Sequence, residues 1–410
     1  MIPDERSNVI AHGVSKQGSL IVFADDWGRH PSSCQYLVRH LMARRNVLWV
    51  NTIGMRRPRL DRTTLRRGWE KLREWSRKDR PGIGLPDHTQ PKVVRPLMWP
   101  SFSRRWERAW NRRLLARQLA PWIEAMPRPR TAVTTIPIVA DLLGLLPLDR
   151  WVYYRVDDFR HWPEMDGRVM ADMEHQLISG ADRIVAASER LREGIEECGR
   201  DAVLLTHGVD WRAWQNAATA PRELWSRAEA LVAPLAPPRL VFWGSINWQM
   251  DEAILAALNQ GAEAAIVLVG PVTDCPSGIL RLSRVVTVGP VRPELLPLLA
   301  ELSTVLIMPY KNGPGLEESQ PLKLKEYLAS RRPAVVRDLP ANRAWRDALD
   351  LADSPEDFLR AVRLRIETGL PPAQETARRR VRDEGWEQKA AVFDHLLFDG
   401  LLPGGAKLPG

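Results

Sequence analysis

Among the charged side chains of one short stretch, 305–336, which reads VLIMPYKNGPGLEESQPLKLKEYLASRRPAVV, two carboxylates and two ammonium groups stand out as candidates for chemistry. They are Lys311, Glu318, Lys323 and Glu326. Glutamates accept hydrogen bonds from hydroxyls, and lysines neutralise phosphate oxygens. The segment that carries them suits a phosphate. The spacing of the glutamates alone is not diagnostic, since Glu189 and Glu197 repeat it elsewhere. The order of elements around them is more informative.

Those elements follow from local chemistry. The apolar run 305–308, closed by Pro309, predicts a parallel strand buried on both faces. A loop with Gly313, Pro314 and Gly315 follows. Ser319 is then placed to cap a helix carrying Pro321 in its first turn. On that helix Leu324 and Leu328 share one face, while Lys323, Glu326 and Ser330 share another. Residues 333–336 return to the sheet. A helix start at the end of a buried parallel strand gathers unpaired N–H groups and favours an anion such as phosphate.

Strand, Gly-rich loop, glutamate, Pro-Leu-Lys, glutamate, Tyr-Leu-Ala and Pro-x-Val-Val together resemble the donor-binding segment of retaining GT-B glycosyltransferases of the family-four group. The branch in view is that of teichuronic acid and exopolysaccharide biosynthesis. The resemblance extends to Tyr-Arg-Val-Asp-Asp (154–158), Gly-Ala-Asp-Arg-Ile-Val (180–185), Ala-Ser-Glu-Arg-Leu (187–191) and His207-Gly208-Val209-Asp210, where relatives carry Asn first. It implies an α/β GT-B fold: two Rossmann-like, doubly wound domains facing a central cleft, with a C-terminal helix crossing back. It also implies a nucleotide diphosphate sugar as donor substrate, no other cofactor, and a carbohydrate or a polyprenyl- or glycolipid-linked acceptor. By motif, Glu318 falls beside the donor sugar and diphosphate, and Glu326 at the ribose. Ser319, Gln320, Pro321, Leu322, Gly244 and Ser245 join the donor side.

The rest of the chain supplies the scaffold. The run 19–24, the loop with Gly28 and His30, a helix from 32 and the strand 46–51 open a doubly wound domain. G-x-G-x-x-G is absent there; Gly28 and His30 are cleft candidates. Further strands are expected at 131–136, 151–156, 183–188 and 202–205, then at 239–245, 264–269 and 285–288. Asp157 and Asp158 end one of them, and one of the two is expected to face the acceptor, with His161 close by. The resulting layout is a flexible N-terminus at 1–18, a first domain at 19–231 and a proline-rich linker at 232–238. A second domain at 239–372, a helical tract at 373–397 and a disordered tail at 398–410 follow.

Composition narrows the classes. A length of 410 residues and 44% apolar content suit two globular domains. No run is long and apolar enough to span a bilayer, and the polar N-terminus lacks a signal-peptide core. Three scattered cysteines form neither a disulfide framework nor a zinc set, and D-x-D is absent. A cytoplasmic protein is expected. The segment 56–117 holds 19 Lys/Arg against 6 Asp/Glu, a net of +13 against +9 for the whole chain. Its interleaved Trp69, Trp75, Trp99, Trp106 and Trp110 mark it as a basic insertion suited to an anionic membrane surface, with nucleic acid less suited.

One departure from the family pattern stands out. Relatives place Arg and Lys after the turn that opens the second domain; here Gly244-Ser245-Ile246-Asn247-Trp248 has no cation. Either Lys311, Lys323 or Arg337 substitutes, or the diphosphate is held less tightly; no metal is expected. Two other functions fit the same residues: a GT-B nucleotide-sugar epimerase, and a non-catalytic scaffold docked on a membrane. The first would isomerise donor without acceptor. The second would tolerate substitutions in the cleft.

Overall fold

The computed structural model describes residues 16–29, 31–51, 90–162, 165–318 and 320–401. Seven parallel strands form the first sheet: β1 (Ser19–Ala24), β2 (Asn46–Asn51), β3 (Lys92–Val94), β4 (Arg130–Thr134), β5 (Arg150–Arg155), β6 (Arg183–Ala186) and β7 (Val203–Leu204). Their order is β3-β2-β1-β4-β5-β6-β7. Six more form the second: β8 (Arg239–Trp243), β9 (Ala265–Val269), β10 (Val285–Gly289), β11 (Val305–Met308), β12 (Ala334–Arg337) and β13 (Asp350–Ala352). These run β10-β9-β8-β11-β12-β13. Every pairing is parallel, with β1 in register against both β2 and β4. The central strands are wholly buried, because helices cover both faces of each sheet.

Each sheet reverses direction once, between β1 and β4 and between β8 and β11. At such a switch point the loops leaving two neighbouring strands diverge and open a crevice. In the second sheet those loops are the Gly244 turn and residues 309–322, the stretch that holds the candidate chemistry.

The two cores divide the chain differently from the expected 19–231, 232–238 and 239–372. The first core ends at Leu205, whereas Val209, Trp214, Ala228 and Val232 lie in the second. Trp214 stacks on Trp243 with centroids 5.4 Å apart. The chain therefore crosses between domains near 206–208, and the proline-rich 232–238 is an internal turn of the second domain. It crosses back at 384–386, where Val209 N–H donates to the Glu384 carbonyl at 2.9 Å. At this double crossing a Cβ on Gly208 would meet the Trp386 ring at 2.7 Å, so only glycine fits.

The tract at 373–397 divides into the helix Pro372–Arg378, a 3₁₀ segment Arg379–Glu384 and the helix Trp386–Phe398. The last helix returns to the first core: Trp386 stacks on Tyr36 at 4.7 Å and Phe393 packs on Tyr154 at 5.4 Å. Phe398 does not begin a disordered tail. It is buried beneath the Arg45 guanidinium, 3.8 Å from the ring centroid, and order extends to Leu401. Residues 402–410 and 1–15 lie outside the described residues.

The basic segment also needs correction. From residue 90 onward it is not an insertion but part of the doubly wound frame. β3 pairs with β2, and the helix Arg105–Glu124 buries Glu107, Asn111, Leu115, Leu119 and Ile123 at intervals of four. Residues 52–89, with Trp69 and Trp75, lie outside the described residues.

Candidate functional site

The second-domain half of the site is built where β8 and β11 end. Gly244 follows β8 with φ +130°, and its N–H donates to the Val269 carbonyl at 2.9 Å. A Cβ on neighbouring Gly270 would lie 2.0 Å from the Gly244 carbonyl oxygen, so the two turns touch backbone to backbone. Lys323 closes the other side: a Cβ on Gly244 would sit 2.6 Å from its Cε and 2.8 Å from its Nζ. The turn that lacks its own cation thus has one pressed against it from the next strand's helix.

Lys323 is held by aromatic groups. Its Nζ donates to the Tyr310 hydroxyl and lies 4.8 Å from the Tyr310 ring centroid and 5.0 Å from that of Phe242. Among the described residues no carboxylate pairs with it, so its charge is not neutralised by an ion pair. Lys311 lies farther out, where its charge acts on Cys275. Arg337 faces Asp251 at 3.9 Å and Asp353 at 3.8 Å, so its charge is already engaged.

Glu326 stands one helical turn after Lys323. Its Oε2 accepts a hydrogen bond from Trp243 Nε1 at 2.7 Å. Burial raises its pKa, against opposing pulls from the Trp243 hydrogen bond and the Lys323 charge. Lys323 and Glu326 therefore do not form a solvated ion pair. The helix itself begins at Lys323 and runs only to Ala329, with no side-chain cap. Pro321 precedes it instead of lying in its first turn; its carbonyl accepts from Leu324 N–H at 3.1 Å. Ser319, the expected cap, lies outside the described residues.

The loop before this helix contacts the first domain. Glu318 turns its Oε2 back to accept from Gly315 N–H at 2.9 Å, while its carbonyl accepts from Ser188 Oγ, just beyond β6. Gln320 Oε1 accepts from His207 N–H at 3.0 Å, and Leu322 packs on the first core. Gly315, at φ +82°, lies so near His161 that a Cβ would meet the His161 Cβ at 2.6 Å. The carboxyl ends of the two sheets thus meet along one cleft, with His161, Ser188, Gly315 and Glu318 at its seam. Ser245 follows directly on the Gly244 turn, half-buried.

On the first-domain side, Asp158 does not face the cleft as an open carboxylate. Its side chain is wholly buried; it caps the 3₁₀ turn Phe159–His161 and is gripped by Arg160, whose Nε donates at 2.8 Å. Burial would raise its pKa, but hydrogen bonds from the Arg160 side chain and backbone prevail and hold it low. Asp158 Oδ2 lies 3.8 Å from His161 Nε2, beyond hydrogen-bond reach, and positions His161 through the turn that it caps. Asp157 is half-buried and accepts from Asp158 N–H. Gly28, at φ +77°, has open space where a side chain would be, and its N–H donates to Gln35 Oε1 at 3.1 Å. His30 lies outside the described residues.

The sequence did not reveal the polar cluster beneath this site. Lys325, on the same helix, is only 2% exposed; its Nζ donates to Glu384, the His207 carbonyl and Thr206 Oγ1. Lys389 adds a second contact to Glu384 at 2.7 Å. Burial pulls the Lys325 pKa down to about 8, against the opposing Glu384 charge. The only available signal was a lysine among leucines on a short helix. Its partners lie in the crossing segments, too remote in sequence to be inferred. Trp243 and Tyr310, which hold Glu326 and Lys323, read as ordinary strand-end aromatics.

No family model matches the chain. It is 29% identical over 240 residues to TuaH of Bacillus subtilis (strain 168), named as a candidate teichuronic acid biosynthesis glycosyltransferase. The match covers 54% of this chain and 58% of that relative's length. Among solved structures, sucrose-phosphate synthase from Thermosynechococcus elongatus superposes with a TM-score of 0.66 at 14% identity, over 92% of this chain and 98% of its own. HepE of Anabaena, in complex with UDP-glucose, gives 0.59 at 13% identity over 93% and 95%. A UDP-forming α,α-trehalose-phosphate synthase from Burkholderia xenovorans gives 0.59 at 13% identity over 93% and 99%. The fold is GT-B. The double crossing at 206–208 and 384–386, with the last helix on the first core, is this chain's version of its two facing domains.

Proposed function

We propose that this protein is a glycosyltransferase. It moves a sugar from a nucleotide diphosphate sugar to a carbohydrate or lipid-linked acceptor in cell-surface polysaccharide or glycolipid biosynthesis. The observation that carries the reading is the convergence of the Gly244 turn, Lys323, which has no ion-pair partner among the described residues, and the half-buried Glu326 at the switch point of the second sheet. The likeness to TuaH and to a UDP-glucose-bound structure of the same fold supports it. The chain spans little more than half of that curated relative, so substrates are argued from the residues.

In this reading Lys323 meets the donor diphosphate, replacing the cation missing after Gly244. Charge stabilisation of the leaving diphosphate is worth most in a site of low dielectric, and two aromatic faces provide such a setting. Trp243 fixes one oxygen of Glu326 and leaves the other to accept from a ribose hydroxyl. Glu318, pinned to Gly315 at the seam, lies beside the sugar. His161 and Asp157 line the acceptor side, with Asp158 a positioning residue for His161. The bond from the anomeric carbon to the diphosphate breaks, a bond to the acceptor oxygen forms, and the acceptor proton passes to the departing diphosphate. Retention of configuration is part of the proposal, as is transfer that persists in EDTA because Lys323 carries the charge. So is a cytoplasmic location at a membrane face.

The test is release of nucleoside diphosphate and product formation from a panel of UDP-, GDP- and dTDP-sugars with a membrane lipid extract as acceptor. Glu318→Ala is expected to lower transfer at least about 100-fold while retaining donor binding; Glu326→Ala weakens donor binding about tenfold or more. Wild-type transfer in both variants would refute the assignment.

A further inference from the structure

The helix Arg105–Glu124 buries one stripe and leaves another open. Trp106, Trp110, Arg113 and Arg117 recur at intervals of four, three and four residues and so share one face. Trp106 and Trp110 are 52% and 51% exposed, and both arginines are exposed. A loop lies antiparallel along the helix and extends this face. It is fixed by Leu97 N–H to Gln118 Oε1 at 2.9 Å and by Trp99 N–H to Asn111 Oδ1 at 2.6 Å. Leu97 is 55% and Trp99 42% exposed, and Trp99 packs on Trp106 at 5.6 Å. The aromatic groups are thus held outward by an ordered frame.

Charge identifies the partner. Residues 90–117 contain eight Lys/Arg and one acidic residue, Glu107, which is buried. Over the stretch that carries Trp99, Trp106, Trp110, Arg113 and Arg117 the face therefore presents indoles and guanidinium groups with no exposed carboxylate; the helix's one exposed carboxylate, Glu124, lies at its far end. Indole favours the polar–apolar boundary of a bilayer, and guanidinium groups pair with lipid phosphates.

We propose that this face docks the first domain on an anionic phospholipid leaflet. Trp99, Trp106 and Trp110 enter the headgroup boundary, while Arg113 and Arg117 contact phosphate. The helix starts at the carboxyl-end edge of the first sheet: Arg108 donates to Asp141, in the turn after β4, at 2.7 Å. Docking therefore brings the mouth of the cleft to the leaflet. Delivery of a lipid-linked acceptor in this way rests on the transferase reading; the docking does not.

The full chain is to be sedimented with phosphatidylcholine vesicles, with and without phosphatidylglycerol. Anionic vesicles should bind at least about tenfold more protein, and salt should reverse the gain. Trp106→Ala with Trp110→Ala should cut binding severalfold. Arg113→Gln with Arg117→Gln should cost roughly fivefold per arginine and weaken the salt dependence. All variants should keep the wild-type melting temperature and its rise with added nucleoside diphosphate. Equal binding to both vesicles, wild-type binding by both double variants, or tighter binding to an oligonucleotide would overturn the proposal. Loss of the nucleotide-induced rise in the wild type would count against the transferase reading and leave docking intact.

Discussion

His207 shows how far a single substitution in a familiar turn can reach. The family resemblance leads one to expect asparagine there, and the His207 ring is buried at the crossing between domains beside Lys325 and Lys389. Burial first, then the Lys325 charge, lowers its pKa from 6.5 to about 3. Between those values the unfolded chain takes up a proton that the folded chain refuses. Stability is therefore lost as pH falls below 6.5, by up to about 1.4 kcal/mol per pH unit. His207→Asn should flatten this acid limb: between pH 6.5 and 5 the variant should lose about 2 kcal/mol less than wild type in urea melts. Parallel curves would show that the ring is protonated in the folded state. At this scale the sequence singled out Glu318, Glu326 and Lys323 as candidates through their motif. It could not show that Trp243 holds one of them, or that Asp158 is claimed by Arg160.

At the scale of elements, legibility followed burial. Buried strands such as β1, β2 and β11 read directly from apolar runs, and their bounds agree with expectation. The three-residue strands β3 and β13 are partly exposed and carry no such signal. The Arg105–Glu124 helix was misread as an insertion because Glu107 and Asn111 occupy its buried stripe. Their partners are Ser101 and the Trp99 backbone, contacts that no periodicity records. The short helix of the candidate site is likewise anchored by tertiary contacts. Lys325 ties it to Glu384, whose pKa burial would raise but the Lys325 charge holds down. Glu384→Ala strands a buried ammonium and should destabilise the protein by roughly 3 kcal/mol. Adding Lys325→Met should restore most of that in thermal melts. A double variant no more stable than the single would place the coupling elsewhere.

Across the whole molecule, the chain crosses twice between domains and spends its last helix on the first. Trp386, Phe393 and Leu397 are part of that core rather than an appendage. Truncation after Gly385 should therefore lower the melting temperature of the first domain by more than about 10 °C, as loss of several buried side chains requires. An unchanged transition would mean that the helix merely rests on the surface. The expected boundary at 232 failed for a related reason: a proline-rich stretch signals a stiff turn, but only packing shows which core it serves. Among the described residues no helix is long and apolar enough to cross a membrane.

The most direct measurement is calorimetric titration of the full chain with UDP, GDP, ADP, CDP and dTDP, repeated on Glu326→Ala and Lys323→Met. A donor site at the second switch point predicts that at least one nucleotide binds the wild type. Each substitution should weaken that binding about tenfold or more, with melting temperatures kept near wild type. Binding of none of the five, or equal binding by all three proteins, would contradict a donor site formed by Gly244, Lys323 and Glu326.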